Sequence, residues 1–288
     1  MKTLIITPKP DDPEIIILTN ELKKKGYNVK YFIPAKEIVK INIESFEKRF
    51  EDIYPKGGLL RGFGAEFPKK IIYRLDLLKA IEESGIRLIN SKESLEIASD
   101  KFLTSLILEK HGIPTPKTIV CENVDSALDA FDELGGDVVL KPLFGSKGIG
   151  IVRLTDKSFA ENVLFTLDKL NEVFYLQEFI EHYNRDIRVM TIGEQVAGAM
   201  YRVGDSWKTN IHAGAKSKPI NMNDELEDLA LKAAKITKTE IAGVDIIESK
   251  DGYYVLEVNS IPGFTGLQRV SNVNIAERII DYFLQTIK

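Results

Sequence analysis

Asp245, Glu257 and Asn259 are the residues of this 288-residue chain whose types and spacing point most directly to chemistry. Asp245 falls in the apolar run Ala242–Glu248, Glu257 in Tyr253–Val258, and Ser249-Lys250-Asp251-Gly252 between them reads as a hairpin turn. Period-two spacing sends Glu257 and Asn259 to one strand face, and a paired strand can bring Asp245 beside them. Two carboxylates and an amide oxygen are hard donors, suited to one or two Mg²⁺ held together with substrate phosphates. The alternative is a solvated, merely polar strand face. Against it, Val255, Leu256 and Val258 surround the acid with apolar neighbours, and a buried acid needs a cation or base nearby.

A second group of residues suits anionic ligands. Gly145-Ser146-Lys147-Gly148-Ile149-Gly150 follows Val138-Val139-Leu140-Lys141-Pro142. Glycines let backbone N–H groups face a phosphate, with Lys141 or Lys147 to neutralise it; a glycine-rich hairpin with an exposed lysine is the plainer alternative. The G-x-x-x-x-G-K-[ST] order of a P-loop is missing, and the run continues as strand, unlike a dinucleotide fingerprint. Tyr175–Ile180 is an apolar strand carrying Gln177 and Glu178, either plain core or an edge that meets a purine through its backbone. Asp186-Ile187-Arg188 puts acid and base on one strand face, as a simple ion pair or as part of a site. Arg202, Lys208, Asn210, His212 and Lys216 lie in a long polar stretch, Arg202–Pro219. It reads as a solvated loop or as a mobile lid over an anionic centre. His111, His182 and His212 show no metal-ligand spacing, Cys121 reads as a small core residue, and no G-x-S-x-G elbow occurs.

Three units must position these residues. Leu4-Ile5-Ile6, Glu14–Lys25, Val29–Ile33, Tyr73–Ser84 and Arg87–Ile89 alternate strand and helix, which implies a mostly parallel sheet in residues 1–93. Between them, four glycines in Gly57–Gly64 mark a loop. Asn90 with Glu93 starts a helix that runs to about Lys110, and Pro114 and Pro116 stiffen the connector after it. Residues 94–183 then form an α+β lobe, with strands at Val138–Lys141, Gly150–Leu154 and Phe174–Ile180 and a helix near Ser158–Leu170 capped by Ser158 and Glu161. Residues 184–288 form another, with strands Asp186–Ile192 and Gln195–Tyr201, a helix behind Asn223, the acid-bearing hairpin and a final helix over Val273–Ile287. The fold class is therefore α/β and α+β. Lys and Arg number 39 against 43 Asp and Glu, a net charge of −4, which argues against nucleic-acid binding driven by phosphate contacts. No apolar run approaches a membrane span, and Met1–Pro8 is too short for a signal-peptide core, so no membrane partner is expected. With Cys121 as its one cysteine, the chain is expected in a reducing cytoplasm.

The order of the pieces carries a resemblance. Ser99-Asp100-Lys101, Val139–Pro142, Gly145–Gly150, Gln177–Ile180, Asp186–Arg188, Lys208-Thr209-Asn210, Gly243–Ile246 and Glu257–Gly263 resemble the ATP-grasp fold, specifically the RimK-like α-L-glutamate ligases. The resemblance covers nearly the whole chain and implies an N-terminal substrate-side domain followed by two lobes that clasp ATP. It implies that Lys101 and Lys141 contact the nucleotide, with Gly145, Ser146 and Gly148 over the phosphates. Gln177, Glu178, Phe179 and Ile180 would line the adenine pocket, and Asp186 would hold the ribose. Arg188, Lys208 and Asn210 would face the phosphates or an acyl-phosphate as catalytic groups. Asp245, Glu257 and Asn259 would bind Mg²⁺ (or Mn²⁺), two ions in all. Lys208 stands where related ligases commonly carry arginine, a point charge in place of a planar fork. The implied reaction is ADP-forming: a carboxylate is phosphorylated by ATP, and the amino group of L-glutamate displaces the phosphate. Gly57–Gly64, Ile72–Asp76 and Trp207–Asn210 resemble the branch that adds glutamate to a coenzyme tail of the tetrahydromethanopterin type. Arg61, Arg74 and Arg202 are then candidate contacts to an anionic substrate. A deazaflavin-coenzyme ligase, a ligase modifying a ribosomal or amino-group carrier protein, and a non-catalytic ATP-binding scaffold stay open, as does self-association into a homo-oligomer.

Overall fold

The computed structural model describes residues 2–50, 55–64, 68–145, 148–210 and 214–288. Ser146, Lys147 and His212, named above, lie outside them. Strands β1 (Lys2–Ile6), β2 (Asn28–Phe32), β3 (Gly57–Leu60) and β4 (Arg87–Ile89) form a parallel sheet in the order β2-β1-β3-β4. Helix α1 (Pro13–Lys24) connects β1 to β2, and α2 (Pro68–Glu83) connects β3 to β4. Gly57 and Gly58 are a correction to the expected loop, because they belong to a buried central strand. A Cβ on Gly57 would run into Ile287, and one on Gly58 would come within 2.9 Å of Leu88 Cδ2. Glycine here answers close packing; the turn begins only at Arg61.

Two helices follow instead of one. Ser91, not Asn90, caps α3 (Lys92–Ser99). Asp100 then adopts extended backbone, ends α3 and caps α4 (Lys101–Lys110), its side chain accepting from Leu103 N at 3.1 Å. The second sheet is antiparallel, β5 (Thr118–Cys121), β8 (Phe174–Glu178), β6 (Val138–Lys141) and β7 (Val152–Leu154) in that order. Helices α5 (Val124–Glu133) and α6 (Lys157–Asp168) pack on it through Ala127, Phe131, Ala160 and Leu164. Asp156, rather than Ser158, caps α6, accepting from Phe159 N at 2.8 Å.

The third sheet holds the order β11-β10-β9-β12-β13, all antiparallel. It is built from β9 (Arg185–Ile192), β10 (Gln195–Val203), β11 (Lys216–Pro219), β12 (Ile241–Ser249) and β13 (Gly252–Asn259). The stretch expected as one long loop thus begins in β10 and ends in edge strand β11. Asn223 caps α7 (Asp224–Ile236), as its position before the stripe predicts. After β13 come the short α8 (Thr265–Gln268) and α9 (Ile275–Thr286). Ile275, Ile279, Ile280 and Phe283 make an apolar stripe on α9 that packs between α1 and β9–β10. Each of these fully buried side chains contributes about 1.5–3 kcal/mol. They weld the parallel sheet to the third sheet, so the loops after β1 and β3 are held over the end of β13.

Candidate active site

The chemistry-bearing residues stand in neighbouring rows on one face of the third sheet. Register pairs Asp245 with Arg188 on one side and Glu257 on the other, and pairs Arg202 with Asp186. Because partners in register share a face, Arg202, Asp186, Arg188, Asp245, Glu257 and Asn259 all project together. Arg188 Nη2 donates to Asp245 Oδ2 at 2.8 Å, and its Nε forms an ion pair with Oδ1. Arg202 bridges two acids, reaching Asp186 with Nε at 2.7 Å and Nη2 at 2.6 Å, and Asp245 Oδ2 at 2.9 Å. Gly243 sits beneath Arg188; a Cβ there would lie 2.5 Å from Nη1 and 2.8 Å from Pro262 Cβ. Only glycine lets this guanidinium lie across the sheet.

Burial and neighbours set the charges. Burial acts to raise Asp245, but Arg188 and Arg202 outweigh it and hold the carboxyl below the usual carboxylate range. Burial and the adjacent Asp245 push Glu257 above that range. Arg202 is desolvated, yet Asp245 and Asp186 raise it further, so it stays charged. Two carboxylates on facing strands, one resisting ionisation because the other is ionised, fit a divalent cation. Asp245 Oδ1 is buried against the Nε of Arg188. Asn259 turns its amide nitrogen to Glu257 Oε1, at 3.0 Å, and to Gly243 O, at 3.3 Å. The carboxylates therefore carry the fit, and no cluster of three His, Cys, Asp or Glu exists among the described residues.

Across from these rows, the second sheet supplies lysines. A cleft of about 740 Å³ runs between the two sheets, lined by Lys101, Lys141, Asp186, Lys208, Asp245 and Glu257 among others. Burial lowers Lys141 from 10.5 to about 8, and Lys101 nearby pushes the same way against the pull of Glu257 and Asp245. Burial lowers Lys101 as well. Lys141 Nζ is 2.5 Å from Gln177 Oε1, while Gln177 Nε2 donates to Thr118 Oγ1 and Tyr175 OH. Gln177 thus holds the lysine in place on the lining of the cleft. The N–H groups of Glu178 and Phe179 bond to Lys117 O and Asp137 O. Ile180 follows them on the lining of the same cleft. The Phe179 ring is stacked under Arg153, 3.3 Å from its centroid, and meets Trp207 edge-on.

The loop after β10 is latched onto both sheets. Thr209, which sequence reading passed over between Lys208 and Asn210, donates its hydroxyl to Asp186 Oδ2 at 2.6 Å and is 7% exposed. Lys208 Nζ donates to Ile151 O at 2.8 Å. Gly148, at φ +74°, lies so close to Asn210 that a Cβ would overlap the amide. Lys101 Nζ reaches Gly145 O at 3.3 Å. Asp186, expected at a ribose, has both oxygens engaged by Arg202 and Thr209. A second, wider cavity of about 1690 Å³ opens on the other side, toward the loops after β1 and β3. Arg202, Asn210 and Glu257 line both cavities and form the wall between them.

The remaining two arginines are placed differently. Arg61 borders the second cavity, but its side chain is 4% exposed and its Nη2 meets Glu14 Oε2 at 3.1 Å and Pro262 O at 2.7 Å. Glu14 in turn accepts from the N–H groups of Phe264 and Thr265. Arg74 is buried, bonds to Phe63 O, and lines neither cavity. Arg61 and Glu14 are some fifty residues apart, with Pro262 two hundred further on, so no local pattern announces this tie.

A parallel domain welded to a pair of antiparallel sheets, with a lysine-walled cleft facing a carboxylate row, defines an ATP-grasp ligase. Residues 98–283 match the RimK-like ATP-grasp domain, and the chain belongs to that family. It is 39% identical over 278 residues to the tetrahydromethanopterin:α-L-glutamate ligase of Methanococcus maripaludis, covering 94% of each chain. The enzyme of the same name from Methanocaldococcus jannaschii is 41% identical over 226 residues, 75% of this chain and 76% of that one. The ATP-grasp ligase PsnB, solved with a precursor variant, Mg and ADP, superposes with a TM-score of 0.75 at 22% identity, over 99% and 98% of the two chains. The chain is an ATP-using ligase of this family, and no helix among its described residues is long and apolar enough to cross a membrane.

Proposed function

We propose that the protein joins the α-amino group of L-glutamate to a carboxylate at the tail of a coenzyme of the tetrahydromethanopterin type, forming ADP and phosphate. The names of the two relatives support the substrates. The observation that carries the reaction is the shared wall: the lysine-lined cleft and a second chamber meet at Arg202, Asn210 and Glu257. Residues 1–93 then serve the acceptor side, 94–183 the nucleotide lid and 184–288 the metal-binding lobe. Asp245 and Glu257, joined by Asn259, would hold Mg²⁺ or Mn²⁺, with two ions the expected number; bound there, the ions supply charge neutralisation for the transferring phosphoryl group.

In this reading the apolar part of the cleft takes the adenine, against the Phe179 segment, and Lys101 and Lys141 take the phosphates. The acceptor carboxylate enters from the second chamber. Its approach to a polyanion costs several kcal/mol at short range in a low-dielectric site unless cations cancel the repulsion. Arg188 and the amide of Asn210 line that approach, Lys208 stands on the nucleotide side of the wall, and Arg202 is fixed by its two acids. A carboxylate oxygen bonds to the γ-phosphorus as the bond to the β–γ bridging oxygen breaks, and ADP leaves with that oxygen. The amine lone pair of glutamate then attacks the acyl carbon. The acyl C–O bond breaks, the amine loses its proton, and phosphate departs carrying an oxygen from the acceptor. The Gly148–Asn210 contact and the Lys208–Ile151 bond close the cleft against water during this interval. Incubation with ATP, Mg²⁺, glutamate and tetrahydromethanopterin tests the proposal: ADP release with a product one glutamyl unit heavier supports it. Turnover on a protein acceptor, but not on the coenzyme, overturns it.

A further inference from the structure

The second chamber has cations that the fold leaves unused. Arg61, Arg188 and Arg202 on its wall are neutralised by Glu14, Asp245 and Asp186. Lys9 and Arg269 also line it, both are exposed, and among the described residues neither side chain has an ion-pair or hydrogen-bond partner. Three acids line the chamber with them, and each has a partner of its own, Glu257 accepting from Asn259 Nδ2 at 3.0 Å. Asp12 caps α1 through Glu14 N at 2.9 Å, and both oxygens of Glu14 are held by Arg61 and the Phe264 and Thr265 N–H groups.

Topology places this pair at a preferred binding position. In the order β2-β1-β3-β4 the connections from β1 and from β3 run in opposite directions, so the strand order reverses between β1 and β3. Ligands of open parallel sheets bind beyond the carboxyl ends of the strands at such a reversal. Lys9 follows β1, and Gly62 and Gly64 after β3 pack so closely on Pro8 that a Cβ on either would come within 2.8 Å. Arg269 faces this crevice from the end of α8, on the C-terminal side.

We propose that Lys9 and Arg269 form a subsite for a second anionic group of the acceptor, a carboxylate or phosphate distinct from the carboxylate that is activated at the shared wall. This rests on the reading of the second chamber as the acceptor site. Such a subsite selects acceptors with two separated negative groups and fixes which one reaches Arg188 and Glu257. The test is steady-state kinetics on Lys9→Gln, Arg269→Gln and the double variant, with tetrahydromethanopterin as acceptor. Charge-assisted hydrogen bonds of this kind predict a rise in acceptor KM of about 10-fold for each single variant and about 100-fold for the double, with the KM values of ATP and glutamate little changed. Glutarate and glycerol 3-phosphate are run as competitive inhibitors and titrated calorimetrically against the free protein; whichever binds the wild type and not the double variant names the source of the anion. An unchanged acceptor KM, a rise in glutamate KM instead, or equal binding of both anions to wild type and double variant overturns the subsite. If wild type gives no ADP with tetrahydromethanopterin, the acceptor reading fails by itself, and the calorimetric comparison, which needs no turnover, still decides the subsite.

Discussion

Lys141 is predicted to be a liability to the empty protein and a requirement of the loaded one. Its fall from 10.5 to about 8 on burial, at ~1.4 kcal/mol per pH unit, means that holding the ammonium in the cleft costs about 3 kcal/mol. A lowered lysine disfavours folding wherever it is charged. The penalty is therefore full below pH about 8 and vanishes as pH rises to 10.5, where the unfolded chain also gives up its proton. Lys141→Met removes the penalty and also the bond to Gln177, worth ~1 kcal/mol. The unliganded variant should then be about 2 kcal/mol more stable than wild type at pH 7, a rise of about 4–8 °C in Tm. That advantage should disappear by pH 10.5. Saturating Mg-ATP should reverse the order at pH 7, because a ligand at 100 times its Kd stabilises wild type by about 2.7 kcal/mol and the variant hardly at all. Calorimetry of nucleotide binding between pH 8 and 9 should show proton uptake as the phosphates recharge the lysine. A variant less stable than wild type at pH 7, or a stability difference indifferent to pH, would refute the reasoning.

Three further outcomes follow from the same geometry. Glu257→Gln should lower turnover on the order of 10²-fold, by loss of a preorganised electrostatic group. Its Tm should not fall, because the substitution relieves the crowding with Asp245. Thr209→Val should lower kcat about 10-fold, through loss of a hydrogen bond to a buried carboxylate that positions Lys208 and Asn210, while ATP KM moves little; Thr209→Ser should restore it, and a Val variant with full kcat would remove the latch. Arg61→Ala leaves Glu14 without its cation and should cost about 3 kcal/mol of stability, read in thermal unfolding; an unaltered Tm with a raised acceptor KM would return Arg61 to a direct substrate role.

What the sequence makes legible is local. Period-two spacing in β13 puts Glu257 and Asn259 on one face, whereas Asp245 comes opposite Glu257 through a register shift in the hairpin that the spacing does not show, and register with β9 then adds Arg188. The caps at Asn223 and the hairpin turn at Ser249–Gly252 are likewise short-range. Asp100 interrupts a helix that apolar content alone would continue, since its side chain offers the backbone an alternative partner. Gly57 and Gly58 mislead because glycine signals both turns and close packing, and only Ile287, at the far end of the chain, shows which. Thr209 carries a signal only once Asp186 is known to face it. The tie from Glu14 to Phe264 spans 250 residues, and Lys9 and Arg269 border the same chamber because α9 is welded between two sheets. Neither leaves a pattern in the neighbourhood of the residues involved.

The claim on which all of this depends is that the acceptor carboxylate is itself phosphorylated at the wall formed by Arg202, Asn210 and Glu257. The most direct measurement uses acceptor whose carboxylate oxygens carry a heavy isotope, followed by mass analysis of the released phosphate. The account predicts one labelled oxygen in each phosphate formed alongside ADP. Phosphate free of label, with the isotope retained in the acceptor or its amide, would contradict it.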